Sequence, residues 1–184
     1  PTSGVLPVIL AEDGSNVAKC FQAQFAGRLV HKDYVCLCEG SSLGVAGTTG
    51  EVQAPLRTFG DGQSVRSEVS ELGKAAKTEY WVRARYLHPG SSGELILLHV
   101  KPLTGRTHQI RVHFASLGRP LVGDVAYGNG SVGPFMRLFL HCRRLALRDA
   151  TGHRFVAKAP LPPELKELLR QLQPIEERPA PTRV

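Results

Sequence analysis

Long apolar runs are missing from this chain. No stretch approaches the ~20 residues that a membrane-crossing helix needs, so helical spanning is excluded. Residues 1–12 carry neither a basic n-region nor a small-residue cleavage site, and secretion is not expected. No compartment follows from this: cytosol, mitochondrion and plastid are all compatible. Aromatic residues are sparse at 7%, with a single tryptophan, Trp81, read as a core strand residue. Cysteines number four, and no two form a C-x-x-C pair. Cys36 and Cys38 share one face of a strand, and the set reads as small buried thiols rather than zinc ligands. No metal is expected.

Acidic residues are nearly absent from one window. Between Lys101 and Arg148 there are eight basic residues against one acid, Asp124, so this window accounts for the whole net charge of +7. The 184 residues suit one domain. Positive charge concentrated beside a globular core suits a polyanion, with nucleic acid ahead of a membrane surface; the alternative is a solvated basic face.

Periodicity and breakers divide the chain into elements. Residues 5–10 read as an edge strand interrupted by Pro7. Residues 13–27 read as a helix capped by Asp13 or Ser15 and stopped by Gly27. Strands follow over 29–38, 77–86 and 93–100, the last two joined across His88-Pro89-Gly90. A helix is expected over 107–117, with Ile110, Phe114 and Leu117 as its buried stripe and Gly118 beyond it. A hairpin spans 137–148 and 153–158, and a last helix runs over 162–172. Strands joined by short turns, with interspersed helices, indicate an α+β (mixed α/β) domain over residues 1–172. An irregular insert occupies about 41–72, with only short strand candidates around Glu51–Ala54 and Val65–Val69, and the proline-rich tail 173–184 is expected to be disordered.

Chemistry concentrates in Lys101-Pro102-Leu103-Thr104-Gly105-Arg106-Thr107-His108-Gln109-Ile110-Arg111-Val112-His113. A strand ends there, turns through Thr104-Gly105 and enters a helix. Arg111 stands four residues after Thr107 at the border of the apolar stripe, where a guanidinium faces a cleft while partly buried. Such a charge requires a carboxylate or phosphate partner. Arg106, Thr107 and His108 combine side-chain donors with free backbone N–H groups, an edge suited to phosphate. Spacing alone leaves open that Arg106 and Arg111 only solvate the helix, and that Tyr34 is only a packed strand aromatic.

The string Thr104–His113, with Gly118-Arg119-Pro120-Leu121-Val122-Gly123-Asp124 and Tyr127-Gly128 after it, resembles the hallmark segment of the RluA family of RNA pseudouridine synthases. Further stretches extend the resemblance in order. Thr2-Ser3-Gly4 is similar to the end of the motif H-R-L-D-x-x-T-S-G. The run from His31 to Gly40 is similar to the family's K-x-Y-x-A motif, which carries the active-site tyrosine. Gly73 to Tyr80, Leu140-His141-Cys142 and Ala159-Pro160-Leu161-Pro162 match the strand entry and the closing hairpin.

The resemblance implies a pseudouridine synthase core: a largely antiparallel mixed sheet with flanking helices and a central RNA-binding cleft. It implies isomerisation of uridine to pseudouridine in ribosomal or transfer RNA, by a monomer without metal or organic cofactor. The target base must leave its stack to react. The resemblance makes Arg111 the partner of the catalytic aspartate, and lays Tyr34 against the flipped base with its hydroxyl near the C5 proton. Leu140 walls the pocket, and Arg106, Thr107, His108, Gln109 and Lys101 support the cleft and the RNA. The family pattern puts the aspartate two positions before Pro1. The first residue not being Met, the sequence reads as part of a longer chain, and these residues by themselves are expected to be inactive. Asp124 is read as structural. The alternative is an RNA-binding relative that kept the fold and cleft without the aspartate; a weaker one is a basic module of larger assemblies. His108, His113 and His141 are given no acid–base role.

Overall fold

The computed structural model describes residues 2–40, 43–61, 64–88, 93–128 and 137–175. The Pro89-Gly90 turn and the tail beyond 175 lie outside them. Among the described residues, nine strands and three helices follow in the order β1 (Ser3–Gly4), α1 (Asn16–Ala26), β2 (His31–Glu39), β3 (Thr49–Gln53), β4 (Leu56–Phe59), β5 (Arg66–Val69), β6 (Lys77–Leu87), β7 (Glu94–Pro102), α2 (Gln109–Ser116), β8 (Leu140–Arg148), β9 (Arg154–Lys158) and α3 (Pro163–Gln171).

The main sheet runs β1-β8-β2-β7-β6-β3. All its pairings are antiparallel except β1 with β8, so it is a mixed, largely antiparallel sheet. β2 occupies one side of β8, so β1 and β9, which both pair with β8, share its outer edge.

Alternation along β2 and β7 sorts the core into two layers. Cys36, Cys38, Ile96, Leu98 and Val100 point to one face and pack with Ile110 and Phe114 of α2. Leu37 and Leu95 point to the other and pack with Leu165 of α3. A strand buried on both faces reads as a continuous apolar run, as Leu95-Ile96-Leu97-Leu98 does. The face covered by α2 is called the front and the other the back.

Several expectations are corrected. Residues 5–10 form no strand; only Ser3–Gly4 pairs with β8. In the segment 41–72 the short strands expected near 51–54 and 65–69 are β3, which extends the main sheet, and β5, which forms a separate hairpin with β4, a strand that was not expected. Gln173 to Ile175 are not disordered: Leu87 N–H donates to Gln173 O, and Ile175 N–H donates to Arg85 O. In α2 the buried face is Gln109, Ile110, Val112, His113 and Phe114, while Leu117 is exposed. Cys20 is exposed, in contrast to the other three thiols. Trp81 is only partly buried and stacks against His99 at 5.5 Å between ring centroids.

Candidate active site

A cavity of about 670 Å³ opens on the front face. Its walls are the end of β1, the start of β2, the turn between β7 and α2, the Gly123–Asp124 segment and the start of β8. That volume lies in the range of small-ligand sites and is adequate for one extruded nucleoside.

The turn into α2 is held by Gln109. Its Oε1 accepts from the Thr104 hydroxyl at 2.7 Å and the Arg106 backbone N–H at 3.0 Å. Its Nε2 donates to Lys77 O at 2.9 Å and to Thr78 Oγ1 at 3.0 Å. Gln109 thus clasps β6 to the turn, and its four bonds leave it nothing for a ligand. Thr78 relays the clasp inward. His113 Nε2–H donates to Ala54 O, so Nδ1 must accept from the Thr78 hydroxyl, which fixes a neutral tautomer. Burial pushes the His113 pKa down, against the Ala54 hydrogen bond.

His108 precedes the helix in the left-handed conformation, at φ 53°. Its Nδ1 lies 2.8 Å from the Tyr127 hydroxyl. That hydroxyl also accepts from Ser67 N–H, so its proton points to His108. Burial and the Arg111 charge both push the imidazole pKa down.

Arg111 has a carboxylate partner within the chain, Asp124. Arg111 Nε donates to Oδ2 at 2.8 Å and Nη2 to Oδ1 at 2.7 Å, a bidentate pair. The Asp124 side chain is fully buried, and its Oδ1 also accepts from the N–H groups of Ala126 and Tyr127. Burial by itself raises this carboxyl, but the Arg111 bonds and the two backbone donors outweigh it and hold it below the usual carboxylate range. The Tyr127 ring lies 4.9 Å from the guanidinium carbon. These contacts leave Arg111 Nη1 outside both hydrogen bonds while the side chain lines the cavity.

Tyr34, Leu140, Lys32 and Cys142 line the cavity beside β1. Burial, reinforced by Cys142, pushes the Tyr34 phenol well above its ordinary pKa, so it is a neutral hydrogen-bonding group at neutral pH. Burial pushes Lys32 down. Gly4 brings the chain into the site at φ +107°, where an added Cβ would lie 2.1 Å from Cys142 O. Only glycine permits that approach. Ser3 Oγ lies 3.0 Å from His141 Nδ1, which ties β1 to β8.

The cavity therefore gathers Tyr34, Arg106, His108, Gln109, Arg111 and Leu140. Thr107 is exposed and outside its lining. Lys101 is also outside: Val100 faces the front core and Pro102 lines the cavity, so the residue between them points to the back. Lys32, Asp124, Tyr127 and Cys142 were not assigned to the site from sequence. The K-x-Y spacing was the available signal for Lys32, since residues two apart on a strand share a face.

A largely antiparallel mixed sheet thus carries the cavity on its front, entered by a Thr-Ser-Gly strand and walled by an arginine helix. Comparison with known proteins makes this specific. Residues 1–116 match the family described as RNA pseudouridylate synthase. The chain is 33% identical over 131 residues to the dual-specificity RNA pseudouridine synthase RluA of Vibrio vulnificus (strain CMCP6), covering 71% of this chain and 51% of that protein. It is 32% identical over 181 residues to the ribosomal large subunit pseudouridine synthase C of Pasteurella multocida (strain Pm70), covering 94% and 52%. Among solved structures, human RNA pseudouridylate synthase domain containing 1 aligns with a TM-score of 0.69 at 26% identity, over 89% of this chain and 67% of that one. The chain belongs to the RNA pseudouridylate synthase family, and within it to the RluA group. It spans about half the length of these curated relatives.

Proposed function

We propose that the protein isomerises uridine to pseudouridine in ribosomal or transfer RNA, and that the front cavity takes the flipped base. The observation supporting this reading is the convergence of Tyr34, Arg111 and Leu140 with the Thr-Ser-Gly strand on one cavity of nucleoside size. The reacting carboxylate is the aspartate that the family pattern places two positions ahead of Pro1, on the chain that β1 carries into the cavity.

In this mechanism Arg111 is held by Asp124 and presents Nη1 to the reacting carboxylate, keeping it ionised and aimed. Tyr34 lies against the base and acts by hydrogen bonding through its neutral hydroxyl. Leu140 supplies an apolar wall that excludes water beside the base. Arg106, with Nε bound to Ala75 O at 3.2 Å, offers its terminal nitrogens to an RNA phosphate. Gln109 and Thr104 fix the turn that carries it.

The test is release of tritium from RNA labelled at uridine C5, using the full-length protein. Arg111→Ala is expected to lower turnover at least about a thousandfold while RNA affinity falls less than about tenfold. Turnover within tenfold of the parent would remove Arg111 from the mechanism. Absence of release by the parent on both ribosomal and transfer RNA would leave the non-catalytic RNA-binding reading.

A further inference from the structure

The back of the sheet carries a second cavity, of about 370 Å³, which the proposed reaction does not use. Arg143, Arg144 and Lys158 line it with Asp33 and His99. Arg144 Nη1 donates to Asp33 Oδ2 at 2.8 Å, so the one carboxylate of the lining is already engaged. Arg143 and Lys158 are exposed and have no ion pair or side-chain hydrogen bond among the described residues.

Two breaks in the strand ladders create this charge. Opposite Asp33 and Tyr34, β8 offers Arg144 and Cys142, which leaves Arg143 as an extra residue. Between Val82 and Ala84, β6 has Arg83 as an extra residue opposite β7. A bulge re-aims a side chain where regular pairing would not. Both bulged residues are arginines, and both press electrostatically on His99. Beside them, Trp81 stacks on His99 with its ring partly exposed.

Neighbouring residues of the same strands wall the two cavities. Lys32, Tyr34 and Cys142 face the front, while Asp33 and Arg143 face the back. Both cavities thus reach the outer edge of the sheet, where β1 and β9 meet beside β8. Cys142 of the front lining is followed directly by Arg143 of the back lining.

We infer that the back cavity is a second phosphate-binding site, which holds the backbone of the substrate RNA after it wraps the β1–β9 edge. Arg143 and Lys158 take a phosphodiester, Arg83 meets the next phosphate, and Trp81 offers a stacking surface for an unpaired base. The inference rests on RNA being the substrate.

Fluorescence anisotropy of the full-length protein tests it, with a labelled oligouridylate of about 24 nucleotides and a tetranucleotide as probes. Arg143→Glu/Lys158→Glu is expected to weaken the long probe about tenfold and to reduce the salt slope by about 0.7, the share of one phosphate. Tetranucleotide affinity stays within about twofold, since only the front cavity is needed. Arg106→Glu reports on the front cavity in parallel. If charge reversal lowers the melting temperature, Arg143→Gln/Lys158→Gln replaces it, with the same direction expected. Loss with Arg106→Glu alone overturns the back site and leaves the front reading intact. Loss with neither variant overturns both. If millimolar inorganic phosphate shields Lys158 from acetylation and the long probe does not, the cavity takes a free anion, and the RNA path is overturned.

Discussion

Replacing Asp124 by Asn should uncouple Arg111 from its anchor. The carboxylate makes four hydrogen bonds, two to the guanidinium and two to backbone N–H groups. Asparagine can keep its oxygen on the backbone donors, but its amide N–H₂ then faces Arg111 Nε, donor against donor. The arginine, 16% exposed, keeps one hydrogen bond, from Nη2 to the amide oxygen, but loses its counter-charge in a poorly solvated site. Breaking a buried pair from one side costs about 3–5 kcal/mol. The residual exposure of Arg111 puts this case at the low end, about 3 kcal/mol. Each kcal/mol shifts Tm by roughly 2–4 °C in a chain of this size, so calorimetry should show a fall of about 6–12 °C. The deficit also has a pH signature. The folded-state pKa of Asp124 lies below its unfolded value, so its contribution is complete above about pH 5 and is lost as pH falls through the folded pKa. Parent and variant should therefore converge in acid. A Tm change under about 2 °C at neutral pH would refute the reasoning, and would assign Arg111 placement to the Tyr127 ring instead.

Gln109→Glu keeps the shape but turns two donors into acceptors against Lys77 O and Thr78; about 2–4 kcal/mol of stability should be lost in urea unfolding, and a loss under about 0.5 would remove the clasp from the account. Gly4→Ala combines a positive φ with a Cβ 2.1 Å from Cys142 O. Stability should fall by at least about 2 kcal/mol, and the Val5 amide, now bonded to Cys142 O, should lose hydrogen-exchange protection. Unchanged protection would mean that β1 tolerates the collision. His113 is neutral in the fold with a pKa below its unfolded value. Its contribution is full above about pH 6.5 and shrinks as the unfolded chain takes up protons below that. Urea midpoints of His113→Asn should therefore drop less between pH 7.5 and 5.5 than those of the parent; equal drops would count against a buried neutral histidine.

Local signals carried most of the element assignments. Strand alternation in β2, β6 and β7 and the helical spacing of 16–26 and 163–171 appear within a residue or three of their expected bounds. Thr104 to Arg111 announced the turn and helix that line the cavity. The gaps are long-range. The pairing of β3 with β6, and of β4 with β5 around a glycine-rich loop, depends on partners that composition near residue 50 does not reveal. Lys101 lies in the same motif as the cleft residues, but sheet parity points it to the back. Leu117 continued the helical stripe on paper, yet α2 ends before it and leaves it exposed.

The sequence by itself determined which residue types were available at the site: an arginine on a helix border, a tyrosine two residues from a lysine on a strand, and a Thr-Ser-Gly entry. Those are spacings within one element, and backbone periodicity converts them directly into shared faces. Only the tertiary structure decided what each of them touches. It gave Arg111 to Asp124, closed Gln109 into the β6 clasp, and put Arg143 and Arg144 together on the back of the sheet at a bulge. Contacts between elements follow from packing and register, which no local pattern encodes.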